Sequence, residues 1–422
     1  MKIKHKSLFW VHRYIFNRII LSTLFWGILN AQSDEGSSGF DSGFFIRNAD
    51  SSFVFKPFGL IHTDLRIINK GMQINSDETQ VSTFLIRRLR FGFEGTLYKK
   101  IDYDLEANIV SHSVELIFAW INFGYFPNAQ IRVGQFKEPF SYEVLLPEKY
   151  LDFIERSMNA TVLSPAEDIG IMVHNFGKPL AGFFEYGIGM FNGLGTDIKN
   201  TDKTFEYAGR INIYPFVLLE NNIFNSLRLA GYVLYEGNRT EGVYTRQRTT
   251  LGFEFYPRII TNNNKVSFGA DIQWLYKSFS LKAEYIKTLE DRAELSHTEI
   301  ETDGWHIDLT YLLTGVTKTL RMKSGLEFAA RIEQLLTDAG SPIMISDFTD
   351  ISGNPVVLQK NDVTTITLGL NYYLNYNIKI QTNYQIDIFG NSLLTPSSRT
   401  GDILKSADDT RSKFLARVQL FF

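Results

Sequence analysis

The sequence predicts an all-β fold, an antiparallel transmembrane β-barrel of sixteen strands. Three observations carry that expectation. Long segments alternate apolar and polar side chains at period two. The chain is rich in aromatics, with 35 Phe and 20 Tyr in 422 residues, yet its mean hydropathy is only −0.10. Tight and long connections separate into two classes, as they do at the two ends of a barrel.

The alternation is clearest at Ile378, Ile380, Thr382, Tyr384, Ile386 and Ile388 against Lys379, Gln381, Asn383, Gln385 and Asp387. A second run sets Trp305, Ile307, Leu309, Tyr311 and Leu313 against His306, Asp308 and Thr310, and a third runs from Val266 to Tyr276. Each is long enough to cross a bilayer as a tilted strand. Lipid offers no partner to a backbone amide, so such strands must close on themselves. An apolar face toward lipid and a polar face toward a wet interior cancel in the mean, which reconciles the aromatic content with the hydropathy.

Candidate strands fall at 53–68, 82–97, 101–110, 114–123, 130–136, 168–176, 182–191, 205–214, 227–235, 249–256, 265–276, 279–288, 304–314, 325–333, 364–374, 378–388 and 413–422. A single-chain bacterial barrel has an even number of strands. The tight links 97–101, 123–130, 276–279 and 374–378 share one end only if one segment between 236 and 264 does not span. Residues 249–256 are the shortest candidate there and are assigned to an outer loop. Sixteen strands remain, with 137–167, 288–304, 334–363 and 389–412 as long outer connections. The last strand, Phe414, Ala416, Val418, Leu420 and Phe422 against Lys413, Arg417 and Gln419, has the aromatic-ended pattern that barrel-assembly machinery reads.

Lys2, Lys4, Lys6, Arg13 and Arg18 precede an apolar stretch from Ile19 to Leu29, and Ala31 offers a cleavage site. Residues 1–31 thus read as a signal peptide. Residues 32–52 read as a polar periplasmic lead-in and 53–422 as the barrel. The absence of cysteine excludes disulfide frameworks, thiolate zinc sites and cysteine nucleophiles. A net charge of −3 gives no footprint for nucleic acid. His62, His112, His174, His297 and His306 are scattered without metal-ligand spacing, and no catalytic triad is suggested. Neither a cofactor nor an enzymatic activity is expected. The rival to a channel is a surface adhesion or structural barrel with ligand-binding loops.

Several motifs resemble the phosphate-selective porin family. Phe84–Leu85–Ile86–Arg87–Arg88–Leu89–Arg90–Phe91–Gly92 is similar to its double-arginine strand. Arg132–Val133–Gly134–Gln135–Phe136–Lys137–Glu138–Pro139–Phe140 resembles the strand leading into its third loop, and Phe153–Ile154–Glu155–Arg156 that loop's exit. Asp303–Gly304–Trp305, Tyr311–Leu312–Leu313–Thr314–Gly315 and Leu368–Gly369–Leu370–Asn371–Tyr372–Tyr373 match later strands in order. The resemblance implies sixteen-stranded homotrimers in the outer membrane of a Gram-negative-type bacterium, with an infolded third extracellular loop, here 138–160, narrowing each pore. It implies anion contacts at Arg87, Arg88 and Arg156, and an outer arginine ladder at Arg246 and Arg248. A lysine and two serines of the family's loop align with Val144, Pro147 and Glu148, so the phosphate-retaining set is incomplete.

By strand parity Arg88 and Arg90 share the inner face, opposite Leu85, Leu89, Phe91 and Phe93. Arg87 has lipid-face parity unless a bulge turns it inward. Asp102, Asp104 and Glu106 form an acidic inner stripe, read as a solvated wall. The expectation is a passive pore for small anionic or neutral solutes, with anion preference set by Arg88, Arg90 and Arg156.

Overall fold

A computed structural model describes residues 36–422 except 42, 70–79, 111–112, 197–199, 201–203, 220–221, 246, 294–297, 316, 321, 350–354, 391–394, 397–402 and 405–409. The expected signal peptide and Arg246 lie outside the described residues. The strands are β1 Ser37–Phe40, β2 Phe44–Arg47, β3 Phe53–Asn69, β4 Gln80–Leu97, β5 Ile101–Val110, β6 Ser113–Phe123, β7 Gln130–Lys137, β8 Glu167–His174 and β9 Phe184–Phe191. They continue as β10 Glu206–Ile213, β11 Arg228–Tyr244, β12 Ile260–Tyr276, β13 Phe279–Arg292, β14 Glu299–Leu312, β15 Gly325–Thr349, β16 Pro355–Tyr373, β17 Ile378–Phe389 and β18 Thr410–Phe421.

From β3 to β18 each strand pairs antiparallel with the next, and β18 pairs with β3 from Lys413↔Ile68 to Phe421↔Leu60. That last ladder closes a sixteen-stranded barrel and leaves no free edge among these strands. Outward residues such as Ile307, Leu309, Tyr311, Leu368, Leu370 and Tyr372 are exposed, while His306, Asp308, Thr367 and Asn371 are buried on the inner face. Each large apolar side chain that moves from water into lipid contributes about 1.5–3 kcal/mol, so the outer face favours the membrane. Tyr98, Lys99 and Lys277 take positive φ in the tight links, as the turns of short hairpins that follow the strand twist require.

The segment 249–256 does not span. It lies in the β11–β12 connection and forms only an isolated bridge, Arg248↔Glu254. Residues 37–47 of the lead-in form the β1–β2 hairpin, which extends onto β3 at Ile46↔Phe55 and Arg47↔Val54.

The outer ends depart from the sequence expectation. Much of 334–363, expected as a loop, is ladder: β15 and β16 stay paired past Asp338↔Lys360, with register shifts beyond it. The reason is a cluster on the inner face. Leu335, Leu358 and Val363 of this hairpin, with Leu234, Ile286 and Phe389, pack on Phe255, Tyr256 and Ile259 of the β11–β12 connection. Phe140, Met158 and Leu163, from the β7–β8 connection, join the same cluster. Where the inner face is apolar too, alternation disappears from the sequence although the backbone remains a strand. The cluster occupies the inner face of β11 to β17.

The chain has no native cysteine, so single cysteines report topology directly. Gln359→Cys, in the long β15–β16 hairpin, should react with an impermeant maleimide on intact cells. Asn375→Cys, in the β16–β17 turn, should react only after permeabilisation. The opposite pattern would invert the orientation.

Candidate functional site: an arginine cluster between two cavities

The cluster begins with an irregularity in β4. Against β3 the pairing runs His62↔Arg88 and then Thr63↔Ile86, so Arg87 has no partner. This is a β-bulge, and it restarts the alternation. Arg87 therefore reaches the inner side, where its Nε donates to Glu155 Oε1 at 3.0 Å. Beyond the bulge Leu85 pairs with the buried Asp64, which puts Leu85 on the inner face and Ile86 on the exposed one. Strand parity misplaced Leu85 for the same reason that it left Arg87 unresolved.

Glu155 is the point of convergence. Its carboxylate lies 2.8 Å from Arg66 Nη2, 3.0 Å from Arg87 Nε, 3.4 Å from Arg417 Nη2 and 3.9 Å from Arg88 Nη2. Arg417 is itself held in a fork by Asp64 at 2.6 and 2.8 Å. Glu148 organises the second half. Arg90 donates to it at 3.0 and 3.2 Å and to Glu106 at 2.8 Å, and Arg156 donates to it at 3.1 Å. Arg156 also donates to the carbonyls of Glu143, Val144 and Leu146, which braces the turn that presents Glu148.

The chain between β7 and β8 is fastened to strands on many sides. Asp152 pairs with Lys282 at 2.6 Å and Lys318 at 2.8 Å. Glu143 pairs with Arg331, and the amides of Ile154 and Met158 donate to Asn383 and Glu333. Ser141 and Ser157 cap short helices at Tyr142–Leu145 and Met158–Leu163 through their hydroxyls.

Two cavities flank these pairs. One of 440 Å³, toward the long connections, is lined by Arg66, Arg87, Arg88, Arg90, Arg156 and Arg248 against Glu115, Glu148, Glu155 and Glu167. The other, of 730 Å³, opens toward the short turns and the β1–β2 hairpin. Arg90 and Glu148 line both cavities, so their ion pair is the shared partition. Val144 lines the first cavity and Pro147 the second.

All the expected site residues that are described therefore meet in one region, Arg248 included. Among them Arg88 keeps an Nη1 with no partner among the described residues, and the Arg87 side chain is 39% exposed. Sequence reasoning missed Arg66 and Arg417, and it treated Glu148 only as a repulsive charge. A run of His62, Asp64 and Arg66 at spacing two was the available signal for Arg66. Nothing in the sequence pairs residue 155 with residue 417. Among the described residues no group of carboxylates and histidines could hold a metal ion.

Burial alone would raise the carboxyls of Glu148 and Glu155. The opposing field is stronger: Lys137, Arg156, Arg90 and Arg88 hold Glu148 well below the usual carboxylate range, and Arg87, Arg88, Arg417 and Arg66 do the same for Glu155. Such groups stabilise the fold fully above their unfolded value of about 4.3, and that contribution is lost as pH falls toward the lower native value. The difference in unfolding temperature between the wild type and Glu155→Gln should therefore be flat from pH 8 to 5 and narrow only below about pH 4. Glu155→Gln, which removes the ion-pair partner of the buried Arg88 while Arg66 and Arg417 keep Asp64, should cost about 3 kcal/mol in denaturant unfolding. A loss under 1 kcal/mol would show that these pairs are solvated and weak.

The profile of the family described as phosphate-selective porin O and P matches residues 58–387. No curated protein matches the chain significantly. Among solved structures, the anion-selective porin from Comamonas acidovorans has TM-score 0.55 at 13% identity and covers 88% of this chain and 100% of its own. The outer membrane channel DcaP of Acinetobacter baumannii has TM-score 0.55 at 13% identity over 92% and 100%. OmpT of Vibrio cholerae, in a trimer form, has TM-score 0.55 at 12% identity over 88% and 99%. At these identities the likeness concerns the fold. Together with the closed barrel and its charged interior, the family match identifies the molecule: the chain belongs to the phosphate-selective porin O and P family and is an outer-membrane channel for small solutes.

Proposed function

We propose that the pore prefers anions and that its selective step lies at the partition between the two cavities. One observation carries this reading: six arginines line the outer cavity against four glutamates, and one of those arginines, Arg90, is shared with the inner cavity. Near the wall a unit charge at 4 Å contributes roughly 4 kcal/mol at an effective dielectric of 20, whereas charges beyond about 10 Å are screened. Local surplus therefore outweighs the near balance of the whole interior.

The arginines divide the work. Arg90 and Arg156 are occupied by Glu148 and set the opening. Arg87 and Arg88 present the remaining donors, and a planar guanidinium engages an oxyanion at two points. Phosphate passes without tight retention, because Val144 and Pro147 offer no donor and Glu148 repels it. Residues 138–160 act as the constricting third loop, a role supported by the ties from Glu143, Asp152 and Glu155 to the wall. Homotrimeric assembly is part of the same reading and is supported by the trimer form of OmpT.

Reversal potentials across a salt gradient test the selectivity. Arg87→Ala with Arg88→Ala should shift the permeability ratio toward cations by a factor of about two or more. Glu148→Gln should shift it toward anions. A wild-type ratio in both variants would reduce these residues to wall lining. Deleting 141–152 should raise single-channel conductance, and an unchanged conductance in a folded barrel would exclude the constriction.

A further inference from the structure

The cavity at the short-turn end is built differently from the arginine cluster. Phe58, Phe118 and Trp120 face it from β3 and β6, where a water-filled wall would carry polar side chains. Register places them there. Phe58 pairs with Gly92, and Trp120 lies between Asp104 and Gly134. Gly92 makes room for its neighbour, because a Cβ there would meet Phe58 Cζ at 2.5 Å.

Cations stand over these rings. The Arg132 guanidinium carbon lies 4.2 Å from the Trp120 centroid, and Lys137 Nζ lies 5.7 Å from that of Phe118. Arg132 makes no hydrogen bond or ion pair to a described residue, and its Nε is buried without a partner. Asp104 Oδ1 is likewise buried without a partner, and the two residues flank the same indole. A buried donor and a buried acceptor left open are costly unless something meets them. The guanidinium lies over the Trp120 and Phe136 rings with no carboxylate among the described residues to hold it, so its donors suit the carboxylate of a flat anion, and the open Asp104 oxygen suits a hydroxyl on that anion. The volume of 730 Å³ falls within the range of small-molecule sites.

We propose that this cavity is a binding site for flat organic acids that also carry a hydroxyl, of the hydroxybenzoate class, with Arg132, held over Trp120, on the carboxylate, Asp104 on the hydroxyl, and Phe58 and Phe118 as the aromatic lining for the ring. The cavity shares Arg90 and Glu148 with the selectivity reading, but Asp104, Trp120 and Arg132 do not line the outer cavity, so the proposed site depends on that reading only for access.

Current block in planar bilayers tests it, with 4-hydroxybenzoate, benzoate, acetate and glucose as probes added from the short-turn side. 4-Hydroxybenzoate should block most strongly, benzoate less, and acetate and glucose weakly or not at all. Trp120→Leu and Arg132→Gln, in barrels that still show heat-modifiable migration, should each weaken the 4-hydroxybenzoate block about tenfold. Asp104→Asn should bring 4-hydroxybenzoate and benzoate closer together. Equal block by acetate, stronger block by glucose, or undiminished block in the Trp120 and Arg132 variants would overturn the site. Anion-biased reversal potentials alongside such a result would leave the selectivity reading intact. Selective block in a pore without anion bias would do the reverse.

Discussion

The region between the two cavities depends on burying two carboxylates, Glu148 and Glu155, among guanidiniums. A buried anion is tolerable only when partners surround it, and the same holds for the cations. Glu155 draws on Arg66 from β3, Arg87 and Arg88 from β4, and Arg417 from β18. It therefore joins both sides of the barrel's closing seam to the β7–β8 connection. Glu148 performs the equivalent task for Arg90 and Arg156. The connection and the wall neutralise each other, and neither charge set would be stable in place without the other.

That arrangement works beside a second, purely apolar one. Phe255, Tyr256 and Ile259 meet Phe140, Met158 and Leu163 on the inner face of β11 to β17. Tyr256 donates its hydroxyl to the Gln359 carbonyl, and Asn361 donates to the Phe255 carbonyl, so the packed chain also has satisfied polar groups. The strands that line the two cavities are chiefly β3 to β7, with the β7–β8 connection contributing to both and the β11–β12 connection to the outer one. The interior is thus asymmetric in its packing, with the apolar cluster on one flank only, while buried ion pairs such as Arg331 with Asp308 and Arg228 with Asp271 occur on that flank as well.

Most of the wall was legible in the sequence because lipid on one side and polar groups on the other impose period two. The sixteen strands follow from that rule and from the sorting of short and long connections, including the exclusion of 249–256. The rule fails where its premise fails. Around Leu335 and Val363 both faces are apolar, so the extended β15–β16 hairpin reads as a loop. At Arg87 the alternation slips by one residue, and only the register against Thr63 and His62 reveals it. The identities of Arg87, Arg88, Arg90 and Arg156 were readable from local motifs. Their partners were not, because Glu155 meets Arg417 across most of the chain's length and no local spacing encodes that meeting.

The slip at Arg87 also changes how charge is distributed along the pore axis. On a regular strand, same-face neighbours are two residues apart, so their charges are spaced by roughly 7 Å. The bulge makes consecutive residues, about 3.8 Å apart along the chain, serve the same side. Positive charge is thereby gathered at one depth instead of graded along the strand. One extra residue of backbone thus sets two guanidiniums side by side around Glu155 and, beyond it, exchanges which side chains of the strand face inward and outward, with the strand count unchanged.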